Sequence, residues 1–287
     1  MSLGSEARGQ RAQVSRDDAE RAGGDGDEDG RRHVALEGCL NLRDIGGYQV
    51  ADGREVRRGC LYRSSDLCSL TDADLDAFAA LGIEVVVDLR SDHERRSRPN
   101  RLPPGVHVIV RETTPWMRQS QPGESLEEQI VSGTLPPRDD DVFATTYVRL
   151  LDESLVGVLR QTLVAAIDSP ERPLLFHCAA GKDRTGVAAA VVLGVLGVDE
   201  ATIVADYDLT EQHWAVPRLA ALADLLAEHG VSEDDVRPFL SPRTDVFRRT
   251  LAHVDERWGG FEGYAIDHLG VDPTLPDRLR AALLLEP

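Results

Sequence analysis

This 287-residue sequence contains a single lysine, Lys182, although it has 32 basic residues in all. Aromatic residues make up only 5% of the chain, and no apolar run reaches the roughly 18–20 residues of a membrane-spanning helix. Acidic residues number 50, and the resulting net charge of −18 disfavours nucleic acids and anionic membranes as partners. No apolar signal-peptide stretch opens the sequence, so a cytoplasmic location is expected, with non-standard export left open.

The four cysteines lack the spacing of a metal site. No pair is separated by two residues and no histidine cluster accompanies them, so no zinc or other metal is expected. Four cysteines in a chain of this length do not indicate a disulfide framework either. We expect Cys39, Cys60 and Cys68 to be small buried or half-buried thiols, and we consider Cys178 separately.

The composition divides the chain in two. Residues 1–33 have many charges and glycines and few large apolar residues, so a disordered tail is predicted. Residues 34–287 alternate strand-like and helix-like segments, which predicts a single α/β domain with a mostly parallel central sheet flanked by helices. Residues 115–142, rich in Pro, Gly, Ser and acids, are predicted to be a long surface loop or lid, and residues 199–252 two to four short helices. The predicted strands are 84–89, 106–110 and 173–177, and the predicted helices are 71–81, 147–167 and 183–197.

The most informative segment is residues 177–186, His-Cys-Ala-Ala-Gly-Lys-Asp-Arg-Thr-Gly, between a predicted strand and a predicted buried helix. A tight loop of small residues at a helix N-terminus points backbone N–H groups inward and cradles an anion. The positive field there stabilises a thiolate at Cys178. Arg184 closes the loop and can hold a phosphoryl group with two parallel N–H bonds. The Thr185 hydroxyl can donate toward the sulfur.

Two other interpretations of this segment are weaker. A nucleotide-binding Walker loop needs a glycine where this chain has Phe176 and a Ser or Thr where it has Asp183. A purely structural turn with an inert cysteine does not explain why His, Cys, Lys, Asp and Arg collect within eight positions.

The segment resembles the signature of cysteine-dependent phosphatases and, more narrowly, that of a bacterial tyrosine phosphatase family. That family includes mycobacterial and Listeria enzymes active on proteins and lipids. The resemblance spans residues 34–285 in colinear motifs at 41–47, 61–65, 87–91, 206–210 and 263–270.

The resemblance implies a protein-tyrosine-phosphatase-like fold with a helical lid insertion. It also implies metal-independent hydrolysis of phosphomonoesters through a phosphocysteine intermediate, without a cofactor. Cys178 is then the nucleophile and Arg184 the phosphate clamp. No Trp-Pro-Asp loop is present to supply the general acid. The resemblance favours Asp183 for that role, and Asp88, at the end of a strand, stays open as a second acid or as a structural partner of an arginine.

The resemblance also assigns supporting roles. Lys182 is expected to attract a second acidic group of the substrate. Asn41 and Asp44 are expected to pin the N-terminal segment beneath the loop, and His177 to orient it. Ala179, Ala180, Gly181, Lys182 and Thr185 are the expected phosphate or substrate contacts, supported by His177, Asp88 and Arg63.

The implied substrates are phosphotyrosine proteins, with phosphoserine, phosphothreonine and phosphoinositides as further ones. Two alternatives stay open: a small-molecule phosphatase acting on inositol phosphates or nucleotide sugars, and a phosphate-binding pseudophosphatase. Residues 115–142 and the helical region after Val204 are either lid elements or ordinary helical packing. The sequence predicts no oligomeric state.

Overall fold

The computed structural model describes residues 28–110, 125–135 and 139–286. The chain divides into two units, residues 1–31 and 32–287. Apart from most of a short helix, α1 (Glu28–Arg32), the elements below belong to the second unit. Most of the predicted tail lies outside the described residues, so its boundary at residue 33 stays a prediction.

A five-stranded sheet forms the centre of the second unit, as the alternation of strand-like and helix-like segments predicted. Its order is β1-β3-β6-β4-β5, and all neighbours are parallel except β1 with β3. A separate two-stranded pairing joins β2 to β7. The strands are β1 Arg43–Asp44, β2 Glu55–Val56, β3 Leu61–Ser64, β4 Val85–Asp88, β5 His107–Val110, β6 Leu174–His177 and β7 Leu284–Leu285.

The three central strands are buried along their whole length, as expected of a parallel sheet covered on both faces. Successive side chains alternate between the two sides. In β6, Leu174 and Phe176 join the larger core, whereas Leu175 joins a smaller core with Phe78 on the opposite face. Packing of both faces therefore fixes the register at which β6 ends and the loop begins.

Helices account for most of the remaining described residues. The predicted helix 71–81 begins after a Thr71 capping box, and the predicted buried helix ends at Gly197, whose φ of 97° suits glycine. The helices are α2 Asp72–Ala80, α3 Asp92–Ser97, α4 Leu126–Ser132, α5 Asp140–Arg149, α6 Val156–Ala166, α7 Asp183–Leu196, α8 Glu200–Thr210, α9 Val216–His229, α10 Glu233–Leu240, α11 Thr244–Trp258, α12 Phe261–Gly263 and α13 Leu275–Leu283. Three π-helical turns are Leu150–Ser154, Glu211–Ala215 and Tyr264–His268.

Two predictions about the helices were wrong in part. The predicted loop 115–142 contains α4, which has a Ser125 capping box and the buried anchor Ile130, and it also contains the start of α5. Residues 111–124 and 136–138 of that region lie outside the described residues. The predicted helix 147–167 begins earlier, at Asp140, and is interrupted by a π-helical turn before α6. Acidic residues are common both in surface loops and in the first turn of a helix, so composition alone does not distinguish the two here.

A third, smaller core lies among α4, α9 and α10. Its buried members are Ile130, Ala215, Leu219, Leu222, Leu226, Val236 and Leu240. We call these three helices the helical layer; it contains parts of both regions that the sequence offered as lid elements. Among the described residues, no helix is both long enough and apolar enough to cross a bilayer.

Candidate active site

The loop Cys178–Lys182 leaves the middle of the sheet at its carboxyl edge. The register places Ser64 of β3 and Asp88 of β4 on either side of His177, the last residue of β6. Helix α7 begins directly after the loop, at Asp183. The loop therefore lies where ligand sites of open α/β sheets form, at the N-terminal end of a buried helix.

Gly181 allows the loop to turn beneath its neighbours. Its φ is +67°, and a Cβ atom there would lie 2.4 Å from the carbonyl oxygen of Ser64. Any other residue would be strained and would also collide with the backbone of β3. The small residues predicted for this loop are therefore required by its packing as well as by access to an anion.

The carbonyl oxygens of the loop are all bound from outside it. Two distant side chains, Asn41 and Arg63, donate three of the six bonds. The bonds run from His177 Nδ1 to Cys178 O (3.1 Å), from Asp66 N to Ala179 O (3.0 Å), from Asn41 Nδ2 to Ala180 O (3.3 Å) and Gly181 O (3.0 Å), from Arg63 Nη2 to Gly181 O (2.9 Å), and from Gly186 N to Lys182 O (2.6 Å).

The loop N–H groups have no such partners. Within the part of the chain that the structure describes, none of the N–H groups of residues 179–184 donates to another protein group. Since the carbonyls are bound elsewhere, these donors and the α7 dipole are available to one anion. Cys178 stands at the start of this cradle and is 2% exposed. All four cysteines are free thiols.

A buried network of charged side chains fixes Asn41 and Arg63, the two side chains that bind the loop carbonyls. Asp206 of α8 binds Arg43 Nε at 3.0 Å and also accepts a bond from Arg63 Nη1. All three side chains are at most 1% exposed. Burial would raise the pKa of Asp206, but the two guanidinium groups hold it well below its usual range. Arg43 in turn donates to Asn41, whose left-handed backbone (φ 61°) is unusual for a residue other than glycine.

The predicted orienting residue His177 is fully buried and faces a fixed set of partners. Its Nδ1 must be the protonated nitrogen, because the Cys178 carbonyl can only accept. Its Nε2 then accepts from Asn100, which also donates to Asp88. Burial lowers the pKa of His177, so this neutral tautomer is the stable one.

Arg184 is paired with a residue that the sequence analysis did not single out. Its Nη1 and Nη2 donate to the two carboxylate oxygens of Glu94, each at 2.7 Å. Burial opposes the charge on Arg184, but the nearby Cys178 sulfur and Glu94 raise its pKa above the ordinary value. The pairing lowers the pKa of Glu94 to about 2 against the opposing effect of burial. Glu94 thus orients the guanidinium and leaves its remaining N–H groups for a phosphate.

Lys182 does not face outward in this structure. Its Nζ donates to the carbonyl oxygens of Phe239 (2.8 Å), Leu240 (3.3 Å) and Ser241 (3.3 Å), at the C-terminal end of α10. These acceptors use all three ammonium protons, and Lys182 is only 4% exposed. Lys182 therefore anchors the helical layer in this conformation, rather than presenting its charge to a second acidic group of a substrate.

The two candidate acids occupy different surroundings. Asp183 keeps 37% of its side chain exposed and accepts a hydrogen bond from the Tyr147 hydroxyl. Asp88 is 1% exposed and is bound by Arg90 through Nε (2.9 Å) and Nη2 (2.7 Å). Burial would raise the pKa of Asp88, but the Arg90 bonds lower it. Asp88 thus has the environment of a structural ion-pair partner, and Asp183 has the access to solvent that a proton donor needs.

The remaining predicted residues have mixed outcomes. Thr185 Oγ1 is buried and has no hydrogen-bond partner among the described residues, so its hydroxyl stays available to the sulfur. Asn41 contacts the loop as expected, whereas Asp44 accepts from the N–H groups of Gly46 and Gly59. The individual roles of Ala179 and Ala180 as phosphate contacts stay predictions.

The sequence analysis missed Glu94, Tyr147 and the function of Asp206. Glu94 has a local signal, because Ser91 and Glu94 form a capping box at the start of α3. That signal predicts a helix start and says nothing about Arg184. In the sequence, Asp206 is only part of the 206–210 motif that resembles the phosphatase family, and Tyr147 is only the start of a predicted helix.

A cysteine and an arginine with five residues between them, on a loop between a parallel strand and a buried helix, define a cysteine-dependent phosphatase site. The sequence profile of the tyrosine phosphatase family matches residues 34–285. The chain therefore belongs to the tyrosine phosphatase family, whose members are hydrolases.

Two named relatives, both more than 30% identical, agree with this membership. A Cupriavidus necator protein named as a tyrosine-protein phosphatase is 33% identical over 246 residues, 85% of this chain and 86% of that protein. The triple specificity protein phosphatase PtpB of Mycobacterium tuberculosis is 32% identical, over 87% of this chain and 98% of its own. Among solved structures, P. aeruginosa TpbA is 22% identical, covers 65% of this chain and 89% of its own, and has a TM-score of 0.30.

Replacement of Asp206 by asparagine should destabilise the fold strongly. Asp206→Asn leaves two buried guanidinium groups without a counter-charge, and we expect the free energy of unfolding to fall by about 3–5 kcal/mol. Urea denaturation measures this value. The matched control is Asp152→Asn, because Asp152 also binds two basic side chains but its partner Arg257 is 55% exposed, and a loss of about 1 kcal/mol or less is expected there.

The pH dependence of this effect has a definite sign. The folded-state pKa of Asp206 is lowered, so its stabilisation is complete above the usual carboxyl range near pH ~4 and is lost as the pH falls through the lowered value. Asp206→Asn should therefore show less loss of stability on acidification than wild type. Equal losses at positions 206 and 152 would contradict the assignment of a buried network.

Replacement of Glu94 by glutamine should weaken anion binding. Glu94→Gln keeps a side chain that can cap α3 but removes the charge that orients Arg184, so vanadate affinity should fall by roughly tenfold, the scale of one charge-assisted bond. Isothermal titration calorimetry with vanadate measures the change. Glu84→Gln, in the exposed pair with Arg172, is the control. Wild-type vanadate affinity in Glu94→Gln would show that Arg184 needs no such partner.

Proposed function

We propose that this chain is a protein-tyrosine phosphatase that hydrolyses phosphomonoesters through a phosphocysteine intermediate on Cys178. One observation carries the proposal: every carbonyl of the loop is bound from outside, while in the described part of the chain no partner takes the N–H groups between Cys178 and Arg184. Such a cradle fits a tetrahedral dianion with an attacking sulfur on one side.

In the first step, the Cys178 thiolate attacks phosphorus in line with the leaving oxygen. The S–P bond forms as the P–O bond breaks, and the electron pair leaves with the substrate oxygen. Loop N–H groups and the Arg184 guanidinium stabilise the equatorial oxygens. Glu94 keeps that guanidinium in place throughout.

In the same step, Asp183 gives its proton to the leaving oxygen. In the second step, water attacks phosphorus, Asp183 takes the proton of that water, and the S–P bond breaks to restore the thiolate and release inorganic phosphate. The partial exposure of Asp183 supports this assignment, and the closed ion pair of Asp88 with Arg90 disfavours the alternative. The unpartnered Thr185 hydroxyl can donate to the departing sulfur.

The substrate class that we propose first is phosphotyrosine in proteins. The Mycobacterium tuberculosis relative is named for triple specificity, which supports substrates beyond phosphotyrosine. Phosphoserine, phosphothreonine and phosphoinositides are the further candidates that the sequence resemblance implies. The occupied Lys182 ammonium gives no support for a second substrate charge in this conformation. Inositol phosphates or nucleotide sugars are the small-molecule alternative, and the experiment below includes one.

Replacement of the nucleophile is the decisive test of this function. Cys178→Ser should lower phosphate release by at least ~1000-fold, because an alkoxide is not available where a thiolate is, while vanadate binding is kept. Release is measured from a phosphotyrosine peptide, a phosphoserine peptide, a short-chain phosphoinositide and an inositol phosphate. Cys60→Ser is the matched control, since Cys60 is also buried but precedes the opposite, amino end of β3.

The outcomes separate the alternatives. Release that depends on Cys178 and is fastest from phosphotyrosine supports the proposal. Dependence on Cys178 with a preference for the inositol phosphate would replace the substrate class and keep the chemistry. Substantial activity in Cys178→Ser, or tight vanadate binding with no release from any substrate, would overturn the proposed function.

The mechanism also predicts independence from metal ions. The loop amides and Arg184 supply the positive field that a metal would otherwise provide, so the rate with 4-nitrophenyl phosphate should be unchanged after dialysis against EDTA. A rate lost in EDTA and restored by one divalent cation would contradict the thiolate mechanism.

A further inference from the structure

A chain of hydrogen bonds leads from the start of α11 to the proposed general acid. The Arg243 N–H donates to the Tyr207 hydroxyl oxygen at 3.0 Å. The Tyr207 and Tyr147 hydroxyl oxygens are 2.8 Å apart. The Tyr147 hydroxyl in turn donates to Asp183 Oδ1. Residues from α5, α8 and the N-cap position of α11 are thus linked to a single carboxylate oxygen, and Lys182 Nζ lies 4.0 Å from the same oxygen.

These hydrogen bonds all point in the same direction, toward Asp183. A backbone N–H can only donate, so the Tyr207 oxygen accepts from Arg243 and its own proton is free for Tyr147. The Tyr147 oxygen then accepts that proton, and its own hydroxyl donates to Asp183. The reverse direction would leave the proton of the buried Tyr207 hydroxyl without a partner among the described residues, which is costly.

Burial and packing keep both tyrosines neutral and fixed in position. Tyr147 is 1% exposed and Tyr207 is fully buried. Burial, together with the nearby Asp183 carboxylate, raises the pKa of both phenols, so both protons are kept throughout the working pH range. The Tyr207 ring stacks on Phe247 at 4.0 Å, and Gly186 of α7 leaves the space for it, since a Cβ there would lie 2.7 Å from that ring.

We propose that Tyr147, held by Tyr207, is a positioning residue that fixes which oxygen of Asp183 carries the transferable proton; this inference rests on the proposed function. The Tyr147 hydroxyl donates to Oδ1, and the carbonyl oxygen of a neutral carboxyl group is its stronger acceptor, so this bond keeps Oδ1 as the carbonyl oxygen. The acidic proton is therefore confined to Oδ2, the oxygen that Tyr147 does not bind. The pair selects one of two otherwise equivalent protonated forms of the acid.

The test is Tyr147→Phe, which removes the hydroxyl and keeps the ring. Hydrolysis of phenyl phosphate, whose leaving group needs a proton, should slow by roughly tenfold, and hydrolysis of 4-nitrophenyl phosphate by less than about threefold. The alkaline limb of the kcat profile should move to higher pH, because the ionised carboxylate loses a charge-assisted donor while the charges that face it, Lys182 Nζ at 4.0 Å from Oδ1 and Arg184, are unchanged. Vanadate affinity should stay at the wild-type value. Tyr207→Phe should give a smaller change of the same kind.

Tyr264→Phe is the matched control. Tyr264 is also fully buried and donates its hydroxyl to the Leu151 carbonyl, so its loss removes a buried hydrogen bond that does not involve the site. We expect the control to keep the wild-type pH profile and leaving-group dependence. If Tyr147→Phe behaves like Tyr264→Phe in both readouts, the tyrosine pair has only a structural role and the inference is wrong.

The variant Asp183→Asn shows whether a negative result concerns Tyr147 alone or the assignment of Asp183 as the general acid. If Asp183→Asn removes the alkaline limb and penalises phenyl phosphate selectively while Tyr147→Phe changes neither, only the inference about Tyr147 falls. If Asp183→Asn leaves both readouts at wild type, the acid lies elsewhere and both assignments fall. Parallel changes in Asp183→Asn and Tyr147→Phe, absent in Tyr264→Phe, support both.

Discussion

The structure of the site depends on the buried carboxylate of Asp206. It is the shared counter-charge of Arg43 and Arg63, which could not both be buried without it. Arg63 then holds the Gly181 carbonyl directly, and Arg43 holds Asn41, which binds the carbonyls of Ala180 and Gly181. A single negative charge, distant from the cysteine in sequence, thus decides that the loop turns its carbonyls outward and leaves its N–H groups for an anion.

The loop residues that follow connect this cradle to the rest of the helices. Lys182 binds the last carbonyls of α10, and the next residue, Asp183, is reached through two tyrosines from Arg243. Both connections end within the short stretch 239–243. Ala180 and Gly181 are therefore fixed by the sheet side of the molecule, and Lys182 and Asp183 by the helical side. We expect movement of the helical layer to be felt first at Lys182, which binds α10, rather than at the cysteine.

Local sequence patterns predicted those elements that are determined by residues close together in the sequence. The buried strands, α2 and α7 follow from apolar runs and caps, and the reactive loop was recognisable because its cysteine, acid and arginine lie within 177–186. The groups that align it could not be predicted in this way, since Glu94 meets Arg184 only after the chain has folded. The single lysine of the sequence indicated that position 182 is unusual, but no pattern indicated that its ammonium group binds the carbonyls at the end of α10. The early start of α5 was missed because an acidic first turn is similar in composition to an acidic loop.

The most direct test of this account is a crystal structure of the protein with bound vanadate. We expect vanadium within bonding distance of Cys178 Sγ, its equatorial oxygens accepting from the N–H groups of residues 179–184 and from Arg184, and Glu94 still paired with that guanidinium. The carbonyls of Ala180 and Gly181 should remain on Asn41 and Arg63. Vanadate bound elsewhere, or a loop with these carbonyls turned toward the anion, would contradict the central claim that the fold arranges the cradle before the substrate binds.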